Sequence, residues 1–150
     1  MAEQEKSAGV VVFRREDKKV KYLLLFKKFK TEYWDLVKGH YEKGEDAHEA
    51  AKREAKEEAG ITDLKFITGF EQKMKWFYRF EGQLRFKTVT YFLAETKTKK
   101  VKISYEHLKP GWFTLQEAEK VLKHKDTKEL LRKAQAFLEK REKESLSKFL

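Results

Sequence analysis

The order of predicted elements specifies an α/β/α sandwich, a mixed β-sheet held between helical layers. Three observations carry this reading. Two apolar strand-like runs open the chain, one strong helix follows, and a second strand pair precedes two further helices, a succession that places a sheet between helices. The 150 residues suit one domain, because a division would leave neither half enough apolar surface for its own core. No repeat, low-complexity tract or proline-rich linker interrupts the order. Residues 1–150 are therefore read as a single domain, with the charged stretch 139–150 expected as a frayed helix extension.

Ala8 to Arg14 and Val20 to Phe26 are β-branched or apolar runs, and the charged segment Arg15 to Lys19 joins them as a hairpin. From Asp46 to Glu58 there is no Gly, Pro or β-branched residue. Asp46 with Glu49 three positions on forms a capping-box pattern, and Gly60 supplies the stop. Phe66 to Phe80 and Leu84 to Glu95 alternate aromatic and polar residues around Glu81, Gly82 and Gln83, which predicts a long antiparallel hairpin. Thr114 with Glu117 starts a helix reaching about Leu122, and Asp126 with Glu129 starts the last one. In that helix Leu130, Leu131, Ala134, Phe137 and Leu138 recur at helical spacing.

Composition narrows the function classes. The absence of cysteine excludes disulfides, thiolate metal sites and a cysteine nucleophile, and fits a cytoplasmic location. Uncharged apolar runs such as Tyr22 to Phe26 fall far below the ~20 residues of a membrane span, so a soluble, unexported protein with no membrane span is expected. The net charge of +10 predicts attraction to polyanions, and charge alone does not choose among nucleic acid, an anionic membrane surface and a small polyphosphate. Lys18, Lys19, Lys21, Lys27, Lys28 and Lys30 occur without an intervening acid, while Lys73, Lys75, Arg79, Arg85 and Lys87 are interleaved with aromatics.

The segment that carries chemistry runs from Trp34 to Ile61. Wound at about 100° per residue, the helix puts Ala47, Ala50 and Ala51 on one stripe with Glu54, Glu57 and Glu58. Spacings of three and four bring these carboxylates together in the last turns, where the helix dipole disfavours each anion by a few tenths to about 1 kcal/mol. A solvated acidic face is the plain alternative, but Lys52, Lys56 and Glu49 already occupy the opposite side. A hard divalent cation, Mg²⁺ or Mn²⁺, offsets such repulsion by direct coordination to oxygen. Before the helix, Lys38, Gly39 and His40 and then Gly44 and Glu45 form a loop that permits close approach to metal or phosphate.

Gly39, five residues, Glu45, seven residues and then Arg53-Glu54-Ala55-Lys56-Glu57-Glu58-Ala59-Gly60-Ile61 resembles the Nudix hydrolase signature at every fixed position. The resemblance implies a Nudix-type sandwich and hydrolysis of nucleoside diphosphates linked to another moiety, with Mg²⁺ or Mn²⁺ and water. On that template the Gly39 carbonyl and the carboxylates of Glu54, Glu57 and Glu58 hold metal, one of them acting as base. Arg53 belongs with this catalytic set, and Glu45 and Gly60 give structural support.

Further stretches resemble one branch of that family, the asymmetric diadenosine tetraphosphate hydrolases, which release ATP and AMP. These are Tyr22 to Leu25, Trp34 with Lys38-Gly39-His40, Gly44-Glu45-Asp46, Lys87 to Ala94, Ser104 to His107, Trp112, Leu115 to Ala118, and Phe137-Leu138. The likeness implies phosphate contacts from Lys38, His40 and Lys87, adenine stacking on Tyr78, and a further metal carboxylate from Glu106. The chain departs from the branch at Val37, where proline is usual, and at Pro110, where an aromatic is common. Rival substrates on the same metal site are capped or triphosphorylated RNA, nucleoside triphosphates, nucleotide sugars and inositol pyrophosphates. A non-enzymatic basic module binding RNA or nucleotide is the reading from another class.

Overall fold

The computed structural model describes residues 3–105 and 107–148. Strands β1 (Glu3–Glu16) and β2 (Lys19–Phe29) form the first hairpin, turning over Asp17 and Lys18 at positive φ. They pair only from Phe13 opposite Tyr22 to Glu16 opposite Lys19, and then diverge. Two strands that sequence reasoning did not separate enter the gap. Strand β3 (Thr31–Asp35) pairs with β2, and β4 (Val37–His40) pairs with Ser7 to Val10 of β1. The fully buried Leu36 joins them. The Lys38-Gly39-His40 segment, expected as loop, is thus strand, and its position is fixed by backbone hydrogen bonds rather than by side-chain pattern.

Strands β5 (Lys65–Phe80) and β6 (Gln83–Glu95) make the predicted long hairpin, and β6 runs parallel to β1 along Glu3 to Phe13. Strand β7 (His107–Phe113), also unforeseen, adds to the free edge of β2. The seven strands form one mixed sheet with the order β3-β2-β1-β6-β5, β4 lying on β1 and β7 on β2. Between Phe66 and Glu71 the β5 register shifts at Gly69, whose φ of 97° and missing side chain leave room for the Phe137 ring.

Alternation with period two divides the apolar residues between the sheet's faces. Val10, Val12, Leu23, Leu25, Phe92 and Ala94 meet Ala50, Ala51, Ala55 and Ala59 of α1 (Ala47–Ala59). Val11, Phe13, Tyr22, Leu24, Tyr91 and Leu93 meet α2 (Leu115–Val121) and α3 (Lys125–Ser147) through Ala118, Leu122, Leu130, Leu131, Ala134 and Leu138. Alanines on α1 bring its backbone close to β1 and β4, which sets the signature carboxylates against the sheet. The expected α/β/α sandwich is present.

The caps follow the sequence at two helices and not at the third. Asp46 with Glu49, and Thr114 with Glu117, form reciprocal capping boxes, and Gly60 ends α1 in the left-handed region at φ 66°. Helix α3 begins two residues before the anticipated start: His124 is its N-cap without a side-chain bond, and Asp126 lies in the first turn. The helix also continues through Ser147, so most of the stretch expected to fray is helical.

Candidate active site

A cleft of about 680 Å³ opens where α1, β4 and the β2–β3 edge meet β6. It gathers Lys38, Gly39, His40, Arg53, Glu54, Glu57, Glu58 and Lys87, eight of the residues singled out from sequence. Glu45 stands behind it on Arg53, and Gly60 is the α1 cap. Tyr78 is not part of the cleft lining; its hydroxyl donates to Glu5. Glu106 lies outside the described residues.

Arg53 organises the acidic side. Its guanidinium forks onto Glu45, Nε to Oε2 at 2.7 Å and Nη2 to Oε1 at 3.1 Å. Nη2 also donates to the His40 carbonyl at 2.8 Å, tying α1 to the end of β4. Nη1 donates to Glu54 Oε1 and to Glu57 Oε2, each at 2.9 Å. The carboxylate repulsion that sequence reasoning assigned to a divalent ion is therefore met in part by this cation. The Arg53 hydrogen bond holds the Glu45 carboxyl below the usual range, assisted by the Glu42 N–H.

Glu58 lies deeper, 8 % exposed. Its Oε2 accepts from the Lys38 backbone N–H at 3.1 Å, while Oε1 lies 3.9 Å from Lys27 Nζ and 3.6 Å from His107 Nε2. Burial pushes its carboxyl up to about 7, against the opposing pull of Lys27 and with the support of Glu54. Glu54 is raised too, chiefly by burial and against Arg53. Two acids are thus kept where ionisation is unfavourable unless positive charge arrives.

The opposite wall is basic. Lys38 Nζ is 3.1 Å from Asp35 Oδ2, and Lys27 Nζ is 3.9 Å from the same oxygen while donating to the Leu36 carbonyl. Lys87 on β6 is held below its ordinary range by burial first and by Lys38 next, so an incoming anion would relieve it. Sequence reasoning missed Asp35 and did not separate Lys27 from its neighbours. Their signal was there: Lys27 and Asp35 flank a strand turn, but nothing local shows that β2 and β3 bring them beside Glu58. Phe29 and Tyr33 also line the cleft, one strand-turn apart.

Residues 3–134 match the family model described as the NUDIX domain. The chain belongs to the NUDIX domain family. Among curated relatives, the asymmetrical bis(5'-nucleosyl)-tetraphosphatase of Caenorhabditis elegans is 37% identical over 134 residues, covering 89% of this chain and 96% of that protein. The Mus musculus protein of the same description is 34% identical over 143 residues, covering 89% and 95%. Among solved structures, a C. elegans Ap4A hydrolase binary complex superposes with a TM-score of 0.79 at 36% identity, covering 89% of this chain and 97% of that one. The E. coli dihydroneopterin triphosphate pyrophosphohydrolase, 23% identical with a TM-score of 0.70, shares the NUDIX fold.

NUDIX hydrolases generally need divalent metal ions, and the residues here suit one. Among the described residues no three acids or imidazoles converge on a single point, and Arg53 holds both Glu54 and Glu57. The donor set is nevertheless that of a hard cation, with desolvated carboxylates on one helix face. A Cβ on Gly39 would overlap the Glu54 carboxylate, so only glycine leaves this approach open.

Proposed function

We propose that this chain hydrolyses a phosphoanhydride bond of diadenosine tetraphosphate, yielding ATP and AMP. The observation that carries the reading is the cleft's polarity, with the signature carboxylates of α1 on one wall and Lys27, Lys38 and Lys87 on the other. A polyphosphate needs both, since its transfer chemistry rests on positioning and charge neutralisation. The relatives described as tetraphosphatases, matched over nearly their whole length, support this substrate.

The Gly39 carbonyl and the carboxylates of Glu54, Glu57 and Glu58 would hold Mg²⁺ or Mn²⁺, with Glu106 as a further ligand. Such an ion supplies Lewis-acid charge to phosphate oxygens. Lys38, Lys87 and His40 take the phosphate chain and fix its register, Lys38 being already aimed by Asp35. One carboxylate of the set accepts the proton of the attacking water. Arg53 keeps Glu54 and Glu57 oriented through its anchor on Glu45. Phe29 and Tyr33, which line the cleft, offer ring faces to one adenine in place of the ring absent at Pro110, and Tyr78, beyond the lining but one strand period from Trp76 on the face of Lys87, offers its ring to the other. No helix among the described residues is long and apolar enough to cross a membrane, and we place the enzyme in the cytoplasm.

The test is a panel of diadenosine tetraphosphate, triphosphorylated RNA, nucleoside triphosphates, nucleotide sugars and inositol pyrophosphates, with products resolved in ¹⁸O-labelled water. ATP and AMP in equal amounts, with label in one of them, is the expected result. Turnover of the RNA or sugar nucleotide without the dinucleotide would overturn the substrate. Unchanged turnover in Glu57→Gln plus Glu58→Gln would overturn the hydrolase reading itself.

A further inference from the structure

The β5–β6 hairpin carries a second surface that the cleft does not use. Cross-strand partners Phe77 and Phe86, Arg79 and Leu84, and Lys75 and Thr88 share one face of the ribbon. Lys87, paired with Trp76, points to the other face, where the cleft lies. Nearer the core the first face is covered by α1, whose His48 stacks on Phe92 at 3.8 Å. Beyond Thr88 that cover ends, and Phe77 is 63% and Leu84 43% exposed. Exposed large rings on an outer strand are costly for solubility and call for a partner.

The surroundings say which kind. Lys75 Nζ sits 4.9 Å from the Phe86 ring centroid, Arg79 stands one strand period beyond Phe77, and Lys6 joins the face through its pairing with Thr88. Among the described residues none of Lys75, Arg79 and Lys6 is engaged in an ion pair, and all three are exposed. Lys75 and Arg79 thus stand one strand period to either side of the exposed Phe77 ring, about 14 Å apart. Asp126 and Glu129 of α3 border only the inner end of this strip, beside Lys73 and Lys75. Glu81 at the exposed hairpin tip opposes insertion into an anionic bilayer.

We infer that this face is a platform for single-stranded nucleic acid, with bases stacking on Phe77 and Phe86 and phosphates meeting Lys75, Arg79 and Lys6. Base stacking on rings and phosphate neutralisation by alternating cations are the two components of such binding. It is separate from the catalytic cleft and holds whether or not the dinucleotide is the substrate.

The probe is a fluorescent 12-nucleotide oligouridylate with a 5'-hydroxyl end, which presents no polyphosphate to the cleft, titrated with the full chain in anisotropy measurements. Binding should weaken at least tenfold in Lys75→Glu plus Arg79→Glu, with a salt slope lower by about 1.4. Phe77→Ala should weaken it about fivefold to tenfold at an unchanged slope. At saturating diadenosine tetraphosphate, kcat should stay the same in all of these variants, which also reports that they fold. Equal oligonucleotide affinity in wild type and variants would overturn the proposal. So would capture by phosphatidylserine vesicles without oligonucleotide binding, or a sedimentation shift showing self-association through Phe77 alone.

Discussion

Glu58 combines its proposed place in the metal site with a cost that can be measured without activity. Its carboxyl titrates near 7 in the folded chain and near 4.5 when solvated, so between these values the folded state holds the extra proton. Stability of the metal-free protein should therefore fall as pH rises from about 4.5 to about 7, by on the order of 3 kcal/mol if Glu58 acts alone. Urea denaturation in chelator across this range checks it. Glu58→Gln, which keeps an acceptor for the Lys38 N–H, should flatten that slope, raise stability at pH 8, and abolish turnover. At Arg53 the expectation is different. Lysine cannot reproduce the fork onto Glu45 while also reaching Glu54, Glu57 and the His40 carbonyl. Arg53→Lys should lower turnover roughly 10- to 100-fold with little change in melting temperature, as an orienting group does.

Among the elements, α1 was fully legible because its caps, alanine stripe and carboxylates are all written locally. Strands β3, β4 and β7 were not. Thr31 to Asp35 mixes charge with aromatics, Lys38-Gly39-His40 has a loop's composition, and His107 to Phe113 contains Pro110 and Gly111. Their strand character comes from backbone partners: β4 fills the edge that β1 offers after β2 departs, and β7 sits at an outer edge, where a proline is tolerated. The same contrast separates the helix starts. Asp46→Ala should cost about 1 kcal/mol in chemical denaturation because its carboxylate caps Glu49 N–H, whereas Asp126→Ala should cost at most about half that, since His124 holds the cap position of α3. Gly39→Ala tests the close contact of β4 with α1. A methyl there displaces the Glu54 carboxylate, and turnover should drop about 100-fold while circular dichroism stays native.

At the scale of the whole molecule the charge of +10 acts as a field rather than through any pair. Raising ionic strength from 50 to 500 mM should increase KM for the tetraphosphate several-fold with little effect on kcat, because screening weakens capture more than chemistry. Sequence reasoning saw this charge and the helix that carries the acids, and the family resemblance pointed to Lys38 and Lys87, but Lys27 was not set apart, since the three lysines come from separate strands. The parallel alignment of β1 with β6 also orders events in time. On a ribosome the signature helix and its carboxylates emerge by residue 61, yet the β1 edge from Glu3 to Phe13 stays unsealed, and the basic wall incomplete, until β6 has been made and docked. Until then the nascent chain offers an open strand edge and a cleft without Lys87, a non-local pairing whose closure comes at a cost in folding speed.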